Sequence, residues 1–252
     1  MEWLLCGVLA LLAIKSTVGV DIDKKCYADI AFVVDSSSSI HESDFKIQKA
    51  FIENLVRYFD VGPKDVQFAA VSFNSYVYDE FKFNTNADQA SVIEDVDDIR
   101  YRAGLATRTY KAIERMRDFL FASNNGARDD AEHVGIILTD GTTNPGRIDG
   151  LSSNQGKAKT QEEAKSARND NITLFAIGIG PKVNMAELNG IATDPDDKFV
   201  ITVANYSELD KEGVKKALFN RVCSLVNIPA PIAPTTTPTI PQGEDPKRSM
   251  SG

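Results

Sequence analysis

Three short apolar runs, Ile30 to Val34, Val134 to Leu138 and Ile172 to Ile179, are rich in β-branched residues and do not alternate with polar ones. A strand with one wet face alternates. A run without alternation is buried on both faces, as parallel strands covered by helices are. The stretches between the runs carry helical spacing. In Glu42 to Phe59 the apolar positions Ile47, Phe51, Leu55 and Phe59 recur every fourth residue, and from Thr107 to Phe121 the set Ala112, Ile113, Met116, Phe119 and Leu120 covers one face. Further helices are predicted over Ala87 to Ile99, Gln161 to Arg168, Met185 to Ala192 and Ser207 to Leu225. Strands alternating with helices predict an α/β fold, a doubly wound and mostly parallel sheet with helices on both faces. Asp65 to Phe73 and Tyr76 to Phe81 are separated only by Asn74 and Ser75, too few residues for a crossover. That pair is predicted to form an antiparallel hairpin at one edge.

Residues 1–19 read as an export signal: Leu4 to Ile14 is an almost unbroken apolar run, followed by small residues at Thr17 and Gly19. The run is shorter than the roughly 20 residues a membrane helix needs. From Asn227 to Gly252 the composition turns to Pro, Thr, Ile and Ala, which neither helix nor strand tolerates, so a flexible tail is predicted, O-glycosylated stalk or plain linker alike. The 28 Lys and Arg against 36 Asp and Glu give a net charge of -8. Such a surface disfavours nucleic acid and anionic membranes and concentrates divalent cations. With Cys6 in the signal, Cys26 and Cys223 remain, and export predicts one disulfide between them. Asn171-Ile172-Thr173 and Asn205-Tyr206-Ser207 are candidate N-glycan sites.

Ligands of open α/β sheets bind beyond the carboxyl ends of the strands. There the first run ends in Asp35-Ser36-Ser37-Ser38-Ser39, whose alternate members Asp35, Ser37 and Ser39 can point the same way. The run ending in Leu138-Thr139 is followed by Asp140-Gly141, a second carboxylate at the same edge, and Gly104-Leu105-Ala106-Thr107 opens a helix with a third hydroxyl. An all-oxygen set of this kind suits a hard cation, Mg2+, Mn2+ or Ca2+. The plainer alternative has Ser39 or Ser43 capping the next helix. His41 and His133 lack neighbours at zinc-site spacing. Arg100, Arg102 and Arg108 flank the Thr107 loop, either as a basic rim for an acidic ligand or as ordinary solvated charges.

Asp35-x-Ser37-x-Ser39, the distant Thr107 and Asp140-Gly141 after an apolar strand resemble the metal-ion-dependent adhesion site of the von Willebrand factor type A domain, over residues 25–226. Matrilins, type VI collagen and integrin inserted domains share that motif. The resemblance implies a six-stranded sheet with one antiparallel edge strand. It also implies direct ligation by Ser37, Ser39 and Thr107, with Asp35 and Asp140 largely water-mediated. The glycine-rich stretch usual before the threonine is here Gly104-Leu105-Ala106, with one glycine. The function expected is a secreted matrix module that binds an extracellular matrix protein, collagen-like or other, through the partner's acidic side chain. The alternative is a structural component of a fibrous or mineralised matrix that assembles without the metal. Catalysis fits poorly: no histidine is placed as a base for Ser37 or Ser39, and an Asp35 phosphoryl acceptor would want a carboxylate where Ser37 stands. Integrin inserted domains couple affinity to a shift of the last helix, but a Cys26–Cys223 bond would hold that helix, so a largely preset affinity is expected.

Overall fold

A computed structural model describes residues 26–226; the expected export signal and Pro/Thr-rich tail lie outside them. Six strands, β1 (Ala28–Asp35), β2 (Val66–Phe73), β3 (Val77–Phe81), β4 (Glu132–Thr139), β5 (Ile172–Ile179) and β6 (Val200–Val203), lie in the spatial order β3-β2-β1-β4-β5-β6. Every pair is parallel except β2 with β3, the expected hairpin. Among the described residues eight α-helices flank the sheet: α1 (Glu42–Val56), α2 (Gln89–Asp98), α3 (Thr109–Arg115), α4 (Ser153–Asn169), α5 (Met185–Ile191), α6 (Asp196–Phe199), α7 (Tyr206–Leu209) and α8 (Glu212–Leu225). Helix α1 packs on α2, α7 and α8, while α4 packs on α3 and α5, so two helical layers enclose the strands. β1 is consequently buried at every position, the environment its unbroken apolar run requires. On α1 the side chains of Phe45, Phe51, Ile52 and Leu55 are buried in the hydrophobic core. Each is worth about 1.5–3 kcal/mol over an exposed position.

The chain leaves β1 to one side for β2 and returns on the other as β4, so the strand order reverses between β1 and β4. A crevice opens at such a switch point. Val34 pairs with Leu138 in the parallel register, which sets Asp35 beside Thr139 and brings Asp140 to the same edge.

The structure departs from the sequence reading in several places, the unpredicted short helix α6 among them. The predicted helix over Ser207 to Leu225 is two helices, because Asp210 breaks it: its carboxylate accepts from Asn54 Nδ2 at 3.1 Å and Lys215 Nζ at 2.8 Å. α4 begins well before Gln161, held by a capping box of Ser152 and Gln155 rather than by an apolar face. The helix expected from Thr107 begins at Thr109 and passes into a π-turn over Met116–Leu120. Strand β6 is a short edge strand that no apolar run announced. Cys26 and Cys223 are bonded, with Cα atoms 5.0 Å apart, tying the entry to β1 to the last turn of α8. Of the two sequons, Asn171 is exposed in a left-handed conformation at φ 60°, and the Asn205 side chain caps α7 by accepting from Glu208 N.

Candidate metal centre

The turn after β1 is built around a buried carboxylate. Asp35 is 0% exposed; its Oδ1 accepts from Ser37 N at 2.8 Å and its Oδ2 from Thr139 Oγ1 at 2.8 Å. Its backbone carbonyl accepts from Gln48 Nε2 of α1 at 3.0 Å. Both carboxylate oxygens are thereby fixed before any ligand arrives. The turn itself is held by Ser36 N donating to Phe73 O at 2.7 Å and Ser38 N donating to Gly104 O at 2.9 Å.

The hydroxyls then converge. Ser37 Oγ lies 3.0 Å from Ser39 Oγ, and Ser39 Oγ donates to Asp140 Oδ1 at 2.8 Å. Adjacent oxygens of an octahedron with 2.0–2.1 Å metal–oxygen bonds stand about 2.9 Å apart, so the two hydroxyls already stand at the spacing of neighbouring ligands. The cap of α1 is His41, which makes no side-chain capping bond, so Ser39 and Ser43 are not its capping residues.

Thr107 reaches the same edge through its backbone. A β-bridge joins Ser37 to Gly104, and Thr107 exchanges backbone hydrogen bonds with Asn144, 2.8 and 2.9 Å long. Glycine is obligatory at position 104, where a Cβ would stand 2.4 Å from Asn74 Cγ. The single glycine left in the stretch before Thr107 is therefore the one that close packing needs.

Two carboxylates are withdrawn from water here without a salt bridge among the described residues. Asp140 is 8% exposed, and among the described residues neither it nor Asp35 takes part in an ion pair. Burial pushes the Asp35 carboxyl up to about 6, with hydrogen bonds from Ser37 opposing and the charge of Asp140 adding to the rise. Burial raises Asp140 as well, against the hydrogen bond from Ser39 and the charge of Lys182. Buried negative charge with ready-made hydroxyl neighbours is what a divalent cation would neutralise. The residues present thus fit such an ion.

Several nearby residues have other duties. Arg102 pairs with Glu80 at 2.6 Å and stacks on Tyr78, and Arg108 makes a forked pair with Asp149 while donating to Ser75 O at 2.9 Å. They brace the loops, so only Arg100 of the three is an exposed charge. His133 lies at the start of β4, at the opposite end of the sheet, with its Nε2 2.9 Å from Arg128 O. His41 is exposed at the start of α1.

Sequence reasoning missed Thr139 and Gln48, which hold Asp35. Alternation along the strand and the pairing of Val34 with Leu138 carry a signal for Thr139, but nothing local marks Gln48. The Tyr206 hydroxyl is buried without a hydrogen-bond partner among the described residues. Burial raises its pKa far above that of a free phenol, and the charges of Asp140, Asp35 and Asp44 add to the rise.

A family model described as von Willebrand factor type A domain matches residues 29–213. The collagen alpha-1(XXI) chain of Homo sapiens is 29% identical over 95% of this chain and 23% of its own length. Matrilin-2 of Mus musculus is 29% identical over 79% of this chain and 19% of its own length. The chain thus spans a quarter or less of these curated relatives. Among solved structures, proximal thread matrix protein 1 of the mussel byssus, with a zinc-occupied MIDAS motif, superposes with a TM-score of 0.69 at 26% identity, covering 79% of this chain and 48% of that one.

Proposed function

Since the chain belongs to the von Willebrand factor type A domain family, we propose that it is an extracellular adhesion module that docks matrix proteins at the Asp35–Asp140 edge through a divalent cation. Ser37, Ser39 and Thr107 hold the ion by their hydroxyls, and Asp35 and Asp140 act on it largely through water. The ion, Mg2+ in this reading, supplies net positive charge and an exchangeable position for a partner's Asp or Glu. Asp35 and Asp140 fix the hydroxyls, and because they are not both direct ligands the site keeps its attraction for an acidic group. The observation that carries this reading is the convergence of the Ser37 and Ser39 hydroxyls, 3.0 Å apart, beside the Asp140 carboxylate and the buried Asp35 at one strand edge. No helix among the described residues is long and apolar enough to cross a membrane. The Leu4 to Ile14 run and the matrix relatives support a secreted location in the extracellular matrix.

The test is a pull-down of collagen and matrix extracts by the full chain in Mg2+, in EDTA, and with Asp140→Ala. Binding that disappears in both controls supports docking through the metal. Binding that persists in EDTA supports the second reading, a structural component of a fibrous or mineralised matrix, which the likeness to a byssal thread protein favours.

A further inference from the structure

Helix α5 opens with Asn184-Met185-Ala186-Glu187, and a glutamate three residues after a capping side chain ordinarily turns back to the backbone N–H of the cap. Here that exchange is only half made. Asn184 Oδ1 accepts from Glu187 N at 3.1 Å, but the glutamate side chain leaves its own helix, and its Oε1 accepts from Thr143 N at 2.8 Å. Glu187 is 5% exposed, and its Oε2 has no hydrogen-bond partner among the described residues. A carboxylate taken from water to hold one backbone N–H gives up hydration that a single neutral donor does not restore. Helix building therefore does not account for an acid at this position.

What it holds does. Thr143 lies three residues after Asp140, in the segment joining β4 to α4. Its hydroxyl is 2.7 Å from Thr160 Oγ1 of α4, and the next residue, Asn144, is the one that exchanges backbone hydrogen bonds with Thr107. Glu187 thus holds, from α5, the short stretch that carries Asp140 at one end and clasps Thr107 at the other. The distribution of buried charge agrees. Among the described residues, Asp29 is buried and pairs with Arg128, and Lys215 is buried and pairs with Asp210. The remaining buried charges are Asp35, Asp140 and Glu187, which take part in no ion pair among the described residues and stand at or beyond the carboxyl ends of β1, β4 and β5. A buried charge without a partner destabilises the fold by itself, and here that cost is concentrated on the metal side of the sheet.

We propose that Glu187 is a positioning residue of the metal centre: by accepting from Thr143 N, its carboxylate sets the segment from Asp140 to Asn144, and through Asn144 the Thr107 loop, before the ion arrives. The proposal rests on the metal reading above. Groups that orient a metal's ligands from outside the ligand set govern affinity by about tenfold or more.

The experiment compares the full chain with Glu187→Met and Glu187→Gln by calorimetric titration with Mn2+ and by amide exchange at Thr143. Met keeps the length of the side chain and fills its space but offers Thr143 N no oxygen, whereas Gln keeps the oxygen and removes the charge. The expected result is a protected Thr143 amide and near-equal Mn2+ affinity in the natural chain and the Gln variant. The Met variant should show a freely exchanging Thr143 amide and an affinity lower by about tenfold or more. Rescue of affinity by Gln is what a side chain that merely fills the interior would not give. A Met variant that binds Mn2+ as the natural chain does, a Gln variant as weak as Met, or a Thr143 amide that exchanges freely in the natural chain overturns the role of Glu187 and leaves the metal site standing. If the natural chain takes up no Mn2+, the proposal and the metal reading fall together.

Discussion

Replacing Asp35 by Asn separates a site built for a cation from one built for stability. The Asp35 carboxyl is held at about 6 against an ordinary 3.8. Its raised pKa means the folded state prefers the protonated form: stability is fullest below about pH 4 and falls as pH rises through 6. A rise of that size costs the folded state about 3 kcal/mol at neutral pH. Asn is uncharged there and keeps both contacts, accepting from Ser37 N and donating to Thr139 Oγ1 where the acid accepted. In EDTA at pH 7, Asp35→Asn is therefore expected to be more stable than the natural protein by up to about 3 kcal/mol, a rise of about 1 M or more in urea midpoint. The gap should close toward pH 4, and the variant should bind no Mn2+. In the natural protein, protons compete with the metal, so apparent affinity should fall about tenfold from pH 7 to pH 5. Urea unfolding and calorimetry across that range decide the matter. A variant less stable than the natural protein in EDTA at pH 7, or a gap that pH does not change, refutes the reasoning.

Gly104→Ala forces a Cβ to within 2.4 Å of Asn74 and displaces the Thr107 loop, so it should cost about 1–3 kcal/mol in urea unfolding and weaken Mn2+ binding in the same preparation. Replacing Cys26 and Cys223 by Ser opens a loop of sequence separation 197, and the loss should approach about 5 kcal/mol. The same variant should raise amide exchange in α8 and alter ligand affinity. Unchanged exchange and affinity would remove the claim that the bond presets the last helix.

The sheet was legible wherever burial on both faces forces an unbroken apolar run, as in β1, β4 and β5. β6 was not, because four partly exposed residues at a sheet edge need no such run. The first half of α4 was hidden for a related reason: Ser153 to Lys159 carries no apolar face, and its capping box is a shorter signal than a stripe. At the site, Asp35, Ser37, Ser39 and Asp140 stood out because donors at strand ends are fixed by local chain direction. Arg102 and Arg108 misled in the opposite way. Their nearness to Thr107 suggested a rim, but their carboxylate partners lie 22 and 41 residues away in sequence, and only the fold brings them together. Gln48 belongs to the same class, a polar group whose meaning depends on what burial places beside it.

The most direct test of the central claim is a crystal structure of the chain grown with Mn2+, with the ion located by anomalous scattering. The expected result is one strong peak about 2.1–2.2 Å from Ser37 Oγ and Ser39 Oγ, near Thr107, with one face open to solvent. A crystal without a peak there, or with Mn2+ bound only by other residues, would contradict it.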